Sequence, residues 1–239
     1  MRRLISLPFA LSLAFLIGRA GGQNNGSIKG TVINEHGDTV KGARAYAVPV
    51  GEPMLGKVPQ SETDETGHFT IAHLRWGQYS LSASKEEEDY PDLSSAFYAG
   101  FGAKLLTVTL EPSHPSETAT IRLGPKAGVL VGTVRDAVTG NAINPCAEFR
   151  RVSEPNNFLM GTGLINAKYR VLIPSNVDVT LKVWLAGYKP WYYPSTNGSE
   201  TSPLRLRPAE EKKLEIQLYP DPTARDAGCG MPVGTIIKP

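Results

Sequence analysis

The sequence predicts an all-β protein built as two tandem antiparallel β-sandwich domains. Three observations carry that expectation. Apolar and polar residues alternate over short runs, and no stretch shows the 3.6-residue period of an amphipathic helix. Gly- and Pro-rich turns punctuate those runs at regular spacing, as in all-β sandwiches. The whole order of runs then occurs a second time, about 100 residues on. That period exceeds the roughly 20–50 residues of a solenoid repeat and suits two domains of one kind.

The first copy, residues 27–124, opens with a strand from Ser27 to Asn34, in which Ile28, Gly30 and Val32 share a face. Glu35-His36-Gly37-Asp38 is a turn in which Gly37 can take a positive φ. Val40 to Pro49 is the second strand, and Thr63-Asp64-Glu65-Thr66-Gly67 turns into a third at Phe69-Thr70-Ile71-Ala72. His73 to Gly77 connects to Gln78–Ser84, with Trp76 capping the core. Lys85 to Gly102 is the least regular stretch and holds the acidic run Glu86-Glu87-Glu88-Asp89. Leu105–Leu110 and Ala119–Leu123 close the copy, and Pro125 to Gly128 is a linker.

The second copy, residues 129–220, repeats the order: Val129–Arg135, Ala142–Val152, Ala167–Ile173, Asp178–Leu185, Leu204–Arg207 and Lys213–Tyr219. Gly161-Thr162-Gly163 reads as a turn, and matching the blocks sets Cys146 opposite Ala43. Residues 221–239, rich in Pro and Gly, read as an extended C-terminal tail.

Residues 1–20 have the form of a secretion signal. Arg2 and Arg3 precede a charge-free, mostly apolar stretch from Leu4 to Ile17, and Gly18-Arg19-Ala20 offers small residues before a cleavage point. The stretch is shorter than the about 20 residues a spanning helix needs, and no later segment is apolar enough to be an integral membrane span. With 25 basic and 23 acidic residues the net charge is only +2, which gives nucleic-acid binding no electrostatic support. The mature chain has two cysteines. An exported protein with one such pair invites a Cys146–Cys229 disulfide, pinning the tail to the second domain. The other reading makes Cys146 a small core residue.

Several motifs resemble a known family: Gly30-Thr31-Val32, Val40-Lys41-Gly42-Ala43-Arg44-Ala45, Thr63-Asp64-Glu65-Thr66-Gly67-His68-Phe69 and Trp76-Gly77-Gln78-Tyr79-Ser80-Leu81. Together they resemble the carboxypeptidase regulatory-like domain, a prealbumin-like (transthyretin-like), broadly Ig-like, β-sandwich. The second copy is similar through Gly132-Thr133-Val134, Gly140, Asn144-Pro145-Cys146-Ala147 and Ala186-Gly187-Tyr188. It departs where Ala167 replaces a turn glycine and Asn176-Val177 replaces Trp-Gly, while the first copy lacks the Gly-Tyr. The resemblance implies a sandwich whose motif glycines serve turns. It implies no peptidase activity, because the catalytic domain beside which the family is named is not in this sequence.

The residues do not form a catalytic set. The four histidines, His36, His68, His73 and His114, have neither metal-ligand spacing nor a His-Glu-x-x-His context. No Gly-x-Ser-x-Gly elbow occurs. The acidic run lacks the alternate spacing of a calcium loop and reads as a solvated loop. An isopeptide cross-link would need a buried lysine, but Lys29 of the first strand is replaced by Val131 in the second copy. We therefore expect no metal, no cofactor and no enzyme. The densest aromatic cluster, Trp191, Tyr192 and Tyr193 near Trp184, either stacks on sugar rings or fills the core. The expectation is an exported bacterial protein, periplasmic, cell-surface or extracellular. It would act as a non-enzymatic scaffold contacting an envelope or extracellular protein. The alternative is a module binding polysaccharide through that aromatic loop.

Overall fold

The computed structural model describes residues 25–51, 57–95, 98, 103–154, 158–163, 168–193 and 203–224. The expected signal segment, Cys229 and most of the tail lie outside the described residues. The first half contains β1 (Gly26–Ile33), β2 (Arg44–Pro49), β3 (Gln60–Glu62), β4 (His68–Leu74), β5 (Gly77–Ser84), β6 (Leu106–Leu110) and β7 (Ser116–Arg122). The second contains β8 (Gly128–Asp136), β9 (Cys146–Arg151), β10 (Phe158–Gly163), β11 (Lys168–Ile173), β12 (Val179–Trp184), β13 (Trp191–Tyr192) and β14 (Glu211–Leu218).

Each half has a three-stranded and a four-stranded sheet. The orders are β4-β1-β7 with β3-β2-β5-β6, and β11-β8-β14 with β10-β9-β12-β13. Alternation along the strands sends one set of side chains into a core between the sheets. In the first half these include Ile28, Val32, Ala45, Ala47, Phe69, Ile71, Leu81 and Ile121, with Trp76 packed partly against them. In the second they include Leu130, Val134, Phe149, Leu181, Val183, Ile216 and Leu218.

The all-β reading holds, with one change to the expected antiparallel pattern. β7 runs parallel to β1, and β14 parallel to β8. The parallel partner explains Gly30 and Gly132, which sit mid-strand and not at turns. A Cβ on either would lie 1.8 Å from a carbonyl oxygen, that of Ala119 or of Leu214. The turn explanation of the motif glycines suits Gly37, Gly67 and Gly140, whose φ values are positive.

Register also corrects the block alignment of the cysteine. Ala45 pairs with Ala83 and Ala147 with Val183, so Cys146 corresponds to Arg44 and not to Ala43. Three expected elements differ. Gly161-Thr162-Gly163 lies in β10, paired with Cys146 to Glu148. Leu204–Arg207, bracketed by Pro203 and Pro208, makes one bridge to Val179 and no strand. Residues 221–224 form a turn, not an extended run: the Asp221 carboxylate accepts the Thr223 amide at 3.0 Å and its hydroxyl at 2.6 Å.

Candidate functional site

The residues proposed from sequence lie on the short edge strand β13. Trp191 pairs with Val183 and Tyr192 with Lys182, and the Tyr193 amide donates to Leu181 O at 3.0 Å. Alternation in this segment divides the aromatic trio. Trp191 and Tyr193 pack partly against the second core, their ring centroids 6.4 Å apart at an interplanar angle of 59°. Tyr192, 36% exposed, points to the outer face.

On that face the neighbours of Tyr192 come from the adjacent strands. Core positions 179, 181 and 183 of β12 leave Thr180, Lys182 and Trp184 outside. The Lys182 ammonium sits 5.2 Å from the Trp184 ring centroid, a cation–π geometry. Glu148, which pairs with Lys182 in register, forms an ion pair with Arg150. The outer face therefore carries a polar and aromatic strip: Tyr192, Lys182, Trp184, Glu148 and Arg150. The sequence cluster had grouped rings by proximity in the chain; strand geometry regroups Tyr192 with Trp184. Cys146, at the start of β9, is disulfide-bonded and pairs in register with Trp184.

Most of the shifted carboxylates hold turns and strand ends, while Glu215, in the middle of β14, is lowered first by the Thr133 hydroxyl of β8. The Tyr90 hydroxyl donates to Glu35 at 2.5 Å and holds its carboxyl below the usual range, while burial, reinforced by Glu35, pushes the Tyr90 phenol up. Asp136 is held low by the Thr139 amide and then by the Tyr188 hydroxyl, which donates at 2.8 Å. These two ties are equivalent: in each half a tyrosine that follows an inner strand of the four-stranded sheet, β5 or β12, fastens an acid at the end of the first strand, Glu35 just past β1 and Asp136 as the last residue of β8. The sequence comparison missed this, because the first half has no Gly-Tyr and reaches Tyr90 through a 3-10 turn at Glu86–Glu88. Asp64 is lowered by the His68 and Thr66 donors of its own turn. His68 shares that turn, and His36 lies against Glu35 in the other, so both are turn residues. Among the described residues no group of three metal-ligating side chains occurs. No helix among them is long and apolar enough to cross a membrane.

The acidic run also has a structural placement. Glu88 pairs with Lys85 at 2.7 Å. Asp89 forms an ion pair with Arg170 of β11, across to the second half, and its backbone oxygen accepts from Ala127 N at 2.8 Å. Tyr98 is buried within the second core, and Leu93 packs against that core. Lys126 lies 5.0 Å from the Tyr90 ring centroid. This irregular stretch of the first half thus builds the joint with the second.

No family model and no curated protein matches the chain. Similar solved structures include the TIE protein of Bacillus anthracis, at 19% identity over 82% of this chain and 34% of that one, TM-score 0.30. A streptococcal ancillary pilin is 14% identical over 83% of this chain and 63% of its own, TM-score 0.29. The shaft pilin SpaA of Lactobacillus rhamnosus GG is 9% identical over 82% of this chain and 98% of its own, TM-score 0.32. This chain spans about a third of the TIE protein and less than two thirds of the ancillary pilin. At such identities and scores the likeness carries nothing about activity or partners.

Proposed function

We propose that this chain is an exported, non-enzymatic scaffold or interaction module of the bacterial cell envelope. Its parts would be a signal peptide over residues 1–20 and two carboxypeptidase regulatory-like sandwiches over 27–124 and 129–220. The observation that supports the reading is the joint. Tyr98 inserted into the second core, with the Asp89–Arg170 ion pair beside it, sets a fixed spacing between the halves. Fixed spacing is what a scaffold presenting two surfaces needs. The perturbed carboxylates serve turns, strand ends and, at Glu215, a cross-strand contact with Thr133, which is chemistry of folding. Cys229 is proposed as the disulfide partner of Cys146, both being the chain's two cysteines.

Polysaccharide binding is a second reading, supported by the outer strip in which Lys182 lies over Trp184 and Tyr192 stands exposed beside it. Cell fractionation with intact mass measurement tests the first reading. It expects a mature chain beginning at Gly21 in the envelope, periplasm or medium; an uncleaved chain in the cytoplasm would overturn it. Titrating polysaccharides against tryptophan fluorescence tests the second, which fails if no saturable change occurs or if Tyr192→Ala leaves binding intact.

A further inference from the structure

The two halves treat one place in the sandwich differently. In the second half, β13 closes the edge of β12: Trp191 pairs with Val183, Tyr192 with Lys182, and the Tyr193 amide donates to Leu181 O at 3.0 Å. Trp191 and Tyr193 thereby pack against the second core. Ala83 of the first half corresponds to Val183, since each pairs with the matching alanine, Ala45 or Ala147. The strand on this edge of the first half is β6, and its pairing with β5 stops at Leu81 with Leu106. Carried two residues further, that register sets Lys104 against Ala83. Lys104 therefore stands where Trp191 stands in the second half.

Lys104 does not fill the place. It is exposed, and neither it nor Leu105 belongs to a strand. β6 and β7 are end strands of their two sheets, so the sandwich is open along this side. A cavity of about 210 Å³ lies there, walled by Leu81, Ala83, Leu93, Leu106 and Ile121. Ile121 corresponds to Ile216 of the core on which Trp191 packs, since Ala119 pairs with Gly30 as Leu214 pairs with Gly132. The cavity is thus the counterpart of the room that an aromatic ring takes in the second half.

Size and charge narrow the occupant. A dry cavity of about 150 Å³ holds benzene, and clefts for drug-sized ligands begin at about 300 Å³. One ring with a small substituent fits between these limits. The polar lining is Ser82, Thr120, Lys104 and Arg122, which brings two cations and no acid. Arg122 Nη1 donates to Asn34 O at 2.8 Å and to Glu35 O at 3.2 Å, so carbonyls and not a carboxylate hold it. Among the described residues Lys104 makes no ion pair. The carboxylate that touches the lining, Asp92, is already taken up by the Ser82 hydroxyl at 2.9 Å, the Ser94 amide at 2.8 Å and the Ser94 hydroxyl at 2.6 Å. We propose that this cavity binds a monocyclic aromatic acid, its ring among Leu81, Ala83 and Ile121 and its carboxylate toward Lys104 and Arg122. Leu93 also packs against the second core, so the occupant lies beside the joint. The site is separate from the outer strip of Tyr192 and does not depend on the scaffold reading.

Titration of the full chain with benzoate, followed by calorimetry and by amide NMR shifts, tests it. Binding should saturate at about millimolar concentration, with the shifted amides clustered at Ser82, Ala83, Leu106 and Ile121. Benzyl alcohol, the neutral analogue, should bind at least about fivefold more weakly, and so should benzoate to Lys104→Gln, the ratio expected of one partly exposed ion pair. Lys104→Trp, which supplies the ring that the second half has, should bind neither compound. Because Lys104 is exposed, both variants should keep the parent's circular dichroism, which establishes that the folded state was titrated. No saturable binding, equal affinities for benzoate and benzyl alcohol, or binding that survives in Lys104→Trp would overturn the site. Shifts clustered instead at Trp184 and Tyr192 would equally overturn it.

Discussion

Replacing Gly132 with alanine places a methyl group 1.8 Å from the Leu214 carbonyl oxygen. Non-bonded contacts of that kind do not fall below about 3 Å, so β8 and β14 must part by more than 1 Å locally. No side-chain rotation relieves the clash, because the obstacle is backbone. The same oxygen accepts the Tyr169 hydroxyl at 2.8 Å, and that hydroxyl lies 2.8 Å from the same added methyl. Overpacking costs about 1–3 kcal/mol, and two weakened hydrogen bonds add about 1 kcal/mol each. The expected loss is about 3–5 kcal/mol. Urea unfolding followed by tryptophan fluorescence reads it, since all three tryptophans of the chain can report. Gly140→Ala is the comparison: its φ is +72° but nothing lies within 4 Å of the added carbon, so only backbone strain of about 1 kcal/mol is expected. Equal losses in the two variants, or a loss under 1 kcal/mol for Gly132→Ala, would refute the close-approach argument.

Other expectations follow from the same geometry. Thr63→Val should destabilise by about 1–3 kcal/mol in the same urea assay, because the buried Thr63 hydroxyl accepts Ala43 N at 2.9 Å and donates to Val40 O at 2.6 Å. The Asp136 carboxyl is lowered in the fold, so its contribution is complete above the unfolded value near 3.8 and lost as pH falls through the lower folded value. Asp136→Asn should therefore flatten the acid side of a thermal-stability profile; an unchanged slope below pH 4 would count against the tie. Trp191→Ala should cost about 2 kcal/mol or more in unfolding free energy, while Tyr192→Ala should stay within about 0.5 kcal/mol, since Trp191 packs on the core and Tyr192 faces solvent.

The sequence carried the strand order well because alternation is strong where a strand buries one face. Phe69 and Ile71 alternate with exposed neighbours, as do Leu181 and Val183 with half-buried ones, and both pairs were legible. β3 was not, because Gln60-Ser61-Glu62 buries nothing and has no apolar period. The glycines of Gly30-Thr31-Val32 and Gly132-Thr133-Val134 were recognised as a motif, but their cause, a parallel neighbour's carbonyl, depends on strands more than 80 residues away. The Tyr90–Glu35 tie escaped because its tyrosine reaches the position by a longer path than Tyr188 does. At the candidate site, three consecutive aromatics suggested one surface. In β13 and the residue after it, neighbours face opposite ways, so the pairing that matters, Tyr192 with Lys182 and Trp184, runs across strands and is invisible along the chain.

The fixed joint between the halves is the claim on which the scaffold reading stands. Spin labels on exposed positions of the two halves, through Lys29→Cys in β1 and Gln217→Cys in β14, allow a pulsed dipolar distance measurement. A single narrow distance distribution is predicted, and Tyr98→Ala should broaden it by removing the side chain buried in the second core. A broad distribution in the parent protein would contradict the account.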